Sequence, residues 1–243
     1  MNPEKWVFIV GCYNSGTTLL HKLLASHPQV GSMGGEGQYY NKGLLLPANV
    51  GLPRLWAIEP DRFRMNEGTK TNENSQVLMN EWKPHFRNPK RPVLLEKSPT
   101  NAARMRWLNK EFPNAYFICI VRDGYAVAEG IHRKQGHDIE LCARQWLNSN
   151  EIMLEDAKRV DRCFVVTYED LVANPSKLVD RLTSFIGLES IDHALLSAKF
   201  RIHEQTTEII NMNKQSLDRL STEERNKILK IAGKMLDDLG YHD

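Results

Sequence analysis

The amino-acid sequence predicts one α/β domain, with a mostly parallel central sheet flanked by helices. Three observations carry that expectation. Short, wholly apolar runs such as Trp6–Val10 and Tyr116–Val121 suit strands buried on both faces. The segments between such runs space their apolar residues as helices do, and that alternation makes βαβ units. A length of 243 residues fits one such domain and is too short for two large ones.

Taken in order, Trp6–Val10 is the first strand, stopped by Gly11. Thr17–Ser26 follows as a helix, with Leu19, Leu20, Leu23 and Leu24 on one stripe, and Pro28 cannot continue it. Val30 to Asp61 is rich in Gly and Pro and reads as loops with short helices. Asn72 can cap a helix that buries Val77, Leu78, Met79 and Trp82. Pro92–Glu96 is a second short strand, and Ser98-Pro99 then starts a helix running to about Phe112. Tyr116–Val121 is the strongest strand; Asp123 or Gly124 opens a helix to about Lys134, and Asp138 opens a longer one. Cys163–Thr167 is a strand and Pro175–Ile186 a helix closed by Gly187. Arg201–Asp218 is polar and loop-like, and Ser221 with Glu224 forms a capping box for a last helix ending at Gly240. Trp82, Trp107 and Trp146 fall on apolar stripes and are expected in the core.

Composition excludes several classes. Lys and Arg total 32 against 30 Asp and Glu, so the net charge of +2 argues against a bulk polyanion binder, and no nucleic-acid partner is expected. A local anion pocket stays open. No run reaches the ~18 apolar residues of a membrane-spanning helix, so no membrane partner is expected. The apolar part of Met1–Val10 is too short for a signal peptide. Cys12, Cys119, Cys142 and Cys163 show no CxxC spacing and read as reduced thiols, which leads to the expectation of a cytoplasmic protein. The eight histidines form no HExxH and no Cys/His cluster has ligand spacing, so no metal is expected. No sequence feature reports an oligomeric state.

The informative segment runs Val7-Phe-Ile-Val-Gly-Cys-Tyr-Asn-Ser-Gly-Thr-Thr-Leu-Leu. Gly11 and Gly16 occupy the glycine positions of the nucleotide-binding pattern G-x-x-x-x-G-K-[ST], and Thr18 its hydroxyl position. Thr17 stands where a nucleotide triphosphatase has the lysine that reaches the β- and γ-phosphates. Such a loop keeps an anion cradle of backbone N–H groups and suits a different phosphate donor. The plainer alternative is a glycine turn before an amphipathic helix. Arg122 ends a buried strand at the sheet edge where ligands bind, and its guanidinium can hold a phosphate or pair with a nearby carboxylate.

With these residues the chain resembles the sulfotransferases that use 3′-phosphoadenosine 5′-phosphosulfate (PAPS). Asn14-Ser-Gly-Thr-Thr-Leu-Leu and His27-Pro28 resemble that family's 5′-phosphosulfate loop and the H-P that closes its helix. Cys119-Ile-Val-Arg-Asp-Gly-Tyr resembles its 3′-phosphate strand and turn, and Thr167-Tyr-Glu-Asp-Leu with Pro175 a later element. Ile210–Arg219 and Leu239-Gly-Tyr are similar to the end of the tyrosylprotein-sulfotransferase branch and its bacterial relatives. The resemblance covers most of the chain. It implies a P-loop-like three-layer fold in one sulfotransferase domain, 1–243, with 37–79 as a variable acceptor-side segment.

The resemblance also implies roles. Asn14, Ser15, Gly16, Thr17 and Thr18 would hold the 5′-phosphosulfate, and Arg122 the 3′-phosphate with Lys214 or Arg219 from the late segment. Glu96-Lys-Ser-Pro matches the element carrying the family's catalytic lysine, so Lys97 would stabilise the transition state. Glu36, the one acid in Gly31–Tyr40, would be the base, with His132 and His137 as rivals. The sequence departs from the family at two positions: Asn14 replaces a Lys or Arg, and Gly130 replaces a Ser. The expected reaction moves a sulfuryl group from PAPS, in line and without metal, to a hydroxyl or amine of a small-molecule acceptor, with peptide tyrosine as another candidate acceptor. Two rivals stay open: a small-molecule or nucleotide kinase, and a non-catalytic nucleotide-binding relative.

Overall fold

The computed structural model of the chain describes residues 1–191, 200–202, 205–207 and 209–241. The strands of the main sheet are β1 (Lys5–Gly11), β2 (Val30–Met33), β3 (Phe86–Arg87), β4 (Val93–Lys97), β5 (Ala115–Val121) and β6 (Cys163–Thr167). They lie in the order β3-β2-β4-β1-β5-β6, parallel throughout except for the short β2–β3 pair. The helices are α1 (Thr17–Ala25), α2 (Ser75–Trp82), α3 (Met105–Glu111), α4 (Gly124–Gln135), α5 (Ile139–Ala157), α6 (Tyr168–Ala173), α7 (Pro175–Ile186), α8 (Asn213–Leu217) and α9 (Thr222–Asp238). A separate hairpin pairs β7 (Phe200–Ile202) with β8 (Gln205–Thr207).

Strand side chains alternate between faces, and β1 shows what each face buries. Trp6, Phe8 and Val10 pack with Leu78, Trp107, Val127, Trp146 and Ile228, drawn from α2, α3, α4, α5 and α9. Val7 and Ile9 point the other way, onto Leu20 and Leu23 of α1, Leu171 of α6 and Leu182 of α7. These are the three layers expected. The first face holds an aromatic cluster, with Trp6 and Phe112 rings 5.0 Å apart and Phe8 and Phe117 5.6 Å apart. Trp82, Trp107 and Trp146 are all buried. Burying a side chain of this size contributes about 1.5–3 kcal/mol.

Several boundaries differ from expectation for physical reasons. Val30–Met33 is a strand, because β4 and β3 pair with it on either side. The cap of α2 is Asn74, whose side chain accepts from Val77 N at 3.0 Å, in place of Asn72. The helix expected from Ser98 to Phe112 divides into a 3-10 turn, Pro99–Ala103, and α3, since Arg104 leaves helical geometry between them. Ser98 does not cap it; its hydroxyl bonds Glu96. Tyr168–Ala173 is a helix that was not anticipated, and Arg201–Asp218 holds β8, α8 and most of β7, with 203, 204 and 208 outside the described residues. Asp123, Asp138 and the Ser221–Glu224 box cap α4, α5 and α9 as expected.

β1 is flanked by β4 on one side and β5 on the other. In this parallel arrangement Gly11, Lys97 and Arg122 all emerge at one edge, since Ile9 is in register with Lys97 and Gly11 with Ile120. That edge is where open α/β sheets place ligands.

Candidate active site

The turn from β1 to α1 needs glycine at two points. A Cβ on Gly11 would lie 2.6 Å from the Ile120 carbonyl oxygen. Gly16 has φ 93°, and its Cβ would lie 2.6 Å from the Tyr168 ring. α1 starts with no side-chain cap, so its first N–H groups point out of the helix without a side-chain partner. Beside them Ser15 Oγ and Asn14 Nδ2 are buried with no hydrogen-bond partner. Orphaned donors around an uncapped helix start fit an oxyanion. A cavity of about 740 Å³ opens over this loop, lined in part by Asn14, Gly16, Thr17, Thr18, Glu36 and Arg122.

On the β4 side, Lys97 is buried and its ammonium donates to Glu36 Oε1 at 2.5 Å and Thr18 Oγ1 at 3.2 Å. Gln38 Nε2 donates to the other Glu36 oxygen at 2.5 Å. Three residues picked out in the sequence therefore meet. Behind them Glu96 is fully buried and accepts from Gly37 N at 2.8 Å, Ser98 Oγ at 2.5 Å and Asn101 Nδ2 at 2.6 Å. Burial pushes the Glu96 pKa up to about 7, against the pull of Ser98, the Gly37 N–H and Lys97. Ser98 Oγ also accepts from Gln38 N at 3.0 Å. Glu96 and Ser98 thus fix the backbone that carries Glu36. His21 of α1, unremarked in the sequence, is held neutral, with its pKa lowered to about 3 by burial and then by Lys97.

On the β5 side, Arg122 is buried and held by neutral groups. Its Nε donates to Asn213 Oδ1 and its Nη1 to the Asn14 carbonyl, both at 2.8 Å, and its guanidinium carbon stands 4.2 Å from the Tyr168 ring centroid. The Tyr-Glu pair at 168–169 explains why the late segment closes here. Tyr168 OH accepts from Met212 N and donates to the Ile210 carbonyl. Glu169 accepts from Asn213 Nδ2 at 2.6 Å and Tyr241 OH at 2.9 Å.

The other expected residues divide. Arg219 lines the cavity and lies 3.7 Å from the buried Glu129 carboxylate, which Arg133 also bonds at 2.7 Å. Lys214 is exposed and does not line the cavity; Gln215 and Ser216 of α8 line it instead. His132 Nδ1 bonds the His137 carbonyl oxygen at 2.6 Å, and His137 Nε2 bonds the Pro53 carbonyl oxygen at 2.8 Å. Neither ring lines the cavity, and both tie loops together.

Three lining cations were missed, Arg54, Arg133 and Lys134. Arg54 Nη1 and Lys134 Nζ both donate to Asn14 Oδ1, at 3.2 and 2.8 Å. Arg54 sits in a loop without periodicity, so no spacing marks it. Lys134 carried a signal, since it lies one helical turn beyond the vacant hydroxyl position at Gly130.

Residues 7–192 match the Sulfotransferase family. The chain belongs to the sulfotransferase family. Among curated relatives it is 28% identical to the protein-tyrosine sulfotransferase of Drosophila melanogaster over 213 residues, which are 80% of this chain and 40% of that one. Against protein-tyrosine sulfotransferase 1 of Danio rerio the figures are 30% over 202 residues, 78% and 55%. The chain thus spans about half the length of the curated relatives it matches. Among solved structures it is similar to the sulfotransferase domain of the Synechococcus PCC 7002 olefin synthase, with TM-score 0.64, 23% identity and coverage of 96% and 95%. A mouse sulfotransferase complexed with PAP has TM-score 0.51 at 11% identity, with coverage of 98% and 88%. These likenesses establish the P-loop-like α/β fold.

The relatives correct one expectation. The curated relatives are named protein-tyrosine sulfotransferases, and against them the cytoplasmic assignment does not stand. Among the described residues no helix is long and apolar enough to cross a membrane.

Proposed function

We propose that this chain is a PAPS-dependent sulfotransferase, one domain over 1–243, acting on a hydroxyl or amine acceptor. The observation that carries the reading is the meeting of Lys97, Glu36 and Thr18 beside a lysine-free glycine loop whose buried donors lack partners. The donor supplies an activated sulfuryl group, and the protein supplies position and charge. The N–H groups at the start of α1, with Ser15, Gly16, Thr17 and Thr18, bind its 5′ end, and Arg122 binds the 3′-phosphate. Glu36 takes the acceptor's proton as the acceptor atom bonds to sulfur and the bridging bond to phosphate breaks. Lys97, touching both Glu36 and Thr18, offsets the charge that develops on the leaving phosphate. The segment 37–79 brings Tyr39 and Arg54 to the cavity and shapes the acceptor side.

The relatives' names make a tyrosine peptide the first acceptor to try, beside small phenols and amines. Thermal-shift titration tests the donor. PAP, the 3′,5′-bisphosphate left when PAPS gives up its sulfuryl group, should stabilise the chain by about 2.7 kcal/mol at 100 times Kd. ATP with Mg²⁺ should not. Stabilisation by ATP with Mg²⁺ alone would return the kinase reading; PAP binding without labelled sulfate transfer to any acceptor would support a non-catalytic relative.

A further inference from the structure

Gln38 is a buried amide set against the carboxylate assigned as the base. It stands in the 3-10 turn Gly37–Tyr39, directly after Glu36. Both ends of its side chain are engaged. Its Oε1 accepts from the Thr100 hydroxyl at 2.6 Å, and its Nε2 donates to Glu36 Oε2 at 2.5 Å. Thr100 is itself fully buried, in the turn Pro99–Ala103 that follows Lys97 and Ser98. The direction of the amide follows from its partners. Turned over, Oε1 would face the Glu36 oxygen, acceptor against acceptor.

The backbone leaves this amide little room to move. Gln38 N donates to Ser98 Oγ at 3.0 Å and Gly37 N to Glu96 Oε1 at 2.8 Å, while Trp82 Nε1 donates to the Gly37 carbonyl at 3.1 Å. Glu36 is less confined: it lines the cavity with 20% of its side chain exposed. The terminal torsion of a glutamate is broad and roughly two-fold, so one partner alone does not fix its carboxylate plane. Lys97 holds Oε1 and Gln38 holds Oε2, each at 2.5 Å. A carboxylate has about four lone-pair sites, so two such bonds fix the plane and leave a site for the acceptor's proton. Gln38 is neutral and orients the carboxylate without adding a second cation, which would weaken it as a base.

We infer that Gln38 is the positioning residue of the base, holding the Glu36 carboxylate toward the acceptor, with Thr100 fixing the direction of the Gln38 amide. This rests on the proposed function, in which Glu36 takes the proton. Neither Gln38 nor Thr100 lines the cavity, so both act through Glu36.

A mutant cycle tests it, by labelled sulfate transfer from PAPS to phenol, 4-nitrophenol and a tyrosine peptide, with PAP affinity measured by calorimetry. The proteins are wild type, Glu36→Gln, Gln38→Met, Thr100→Val, Thr100→Ser, and Glu36→Gln combined with Gln38→Met. Gln38→Met should lower kcat about 10–100-fold and Thr100→Val at least about threefold, with PAP affinity within about twofold of wild type. Thr100→Ser keeps the hydroxyl and should keep kcat within about twofold. In the Glu36→Gln background, Gln38→Met should cost less than about twofold, because the group it positions is already gone. The acidified 4-nitrophenol should partly rescue Gln38→Met, as it should Glu36→Gln. If Gln38→Met unfolds in a thermal melt, Thr100→Val carries the same cycle, with a loss expected in wild type and none in Glu36→Gln. The same factor lost in both backgrounds would overturn the inference, as a packing effect. So would wild-type turnover in Gln38→Met beside a crippled Glu36→Gln, a result that leaves the base in place. Full activity in Glu36→Gln, or no transfer by wild type to any of the three acceptors, would overturn the base and the inference together.

Discussion

Lys97 and Arg122 emerge at one sheet edge on opposite sides of β1, and they keep different company. Lys97 faces a carboxylate at 2.5 Å, with a second buried carboxylate, Glu96, behind it. Arg122 faces a carbonyl, an amide oxygen and an aromatic ring, and Arg54 and Lys134 of the same cavity bond the neutral Asn14 side chain. The β4 side is balanced in charge and furnished with a proton acceptor. The β5 side brings Arg54, Arg122, Arg133, Lys134 and Arg219 to the cavity, with the Glu129 carboxylate beside Arg133 and Arg219. One cavity thus divides into a half suited to moving a proton and a half suited to holding phosphates.

The comparison breaks first at the β4 side. Glu36→Gln should lower the transfer rate about 10²–10⁴-fold, and Lys97→Ala about 10²–10³-fold, with PAP affinity changed little. A phenol acidified by an electron-withdrawing group gives up its proton easily, so it should partly rescue Glu36→Gln and not Lys97→Ala. Equal rescue in steady-state assays would mean that the two roles are wrongly assigned.

Glu96 gives the next effect, on stability. Its pKa is raised, so between about 4.5 and about 7 the folded chain binds this proton more tightly than the unfolded chain. Its contribution is therefore full below the ordinary carboxylate range and is lost as pH rises to about 7, by about 3 kcal/mol. Urea midpoints at pH 5 and 7.5 should show that fall in wild type and a smaller one in Glu96→Gln. Parallel profiles would show that Glu96 titrates normally.

On the β5 side, Arg122→Ala should weaken PAP roughly 10–100-fold and 5′-AMP much less, since the lost contacts are charged hydrogen bonds to the 3′-phosphate. The smallest effect belongs to Lys214→Ala, which should leave PAP affinity within about twofold, because Lys214 stands outside the cavity. A larger loss would bring Lys214 itself into the nucleotide site.

How much of this the sequence carried follows the same division. Strand ends were readable because β1, β4 and β5 are buried runs, so Gly11, Lys97 and Arg122 could be placed at one edge from periodicity alone. Glu36 follows from the family resemblance as the one acid in Gly31–Tyr40, whereas its pairing with Lys97 depends on a strand that was not legible. β2 is four residues long, and its Gly31 is required by packing: a Cβ there would lie 2.3 Å from the Asn88 carbonyl oxygen. Glu96 entered the sequence reading only as the residue before Lys97, and it is enclosed by three donors, a property of tertiary packing. Arg54 was beyond reach, since a left-handed arginine in a loop leaves no mark in spacing or composition.

The most direct test of the central claim is a crystal structure of this chain with PAP. The account predicts the 5′-phosphate on the N–H groups of Gly16, Thr17 and Thr18, and the 3′-phosphate on the Arg122 guanidinium. Phosphates bound away from this loop, or a 3′-phosphate with no contact to Arg122, would contradict it.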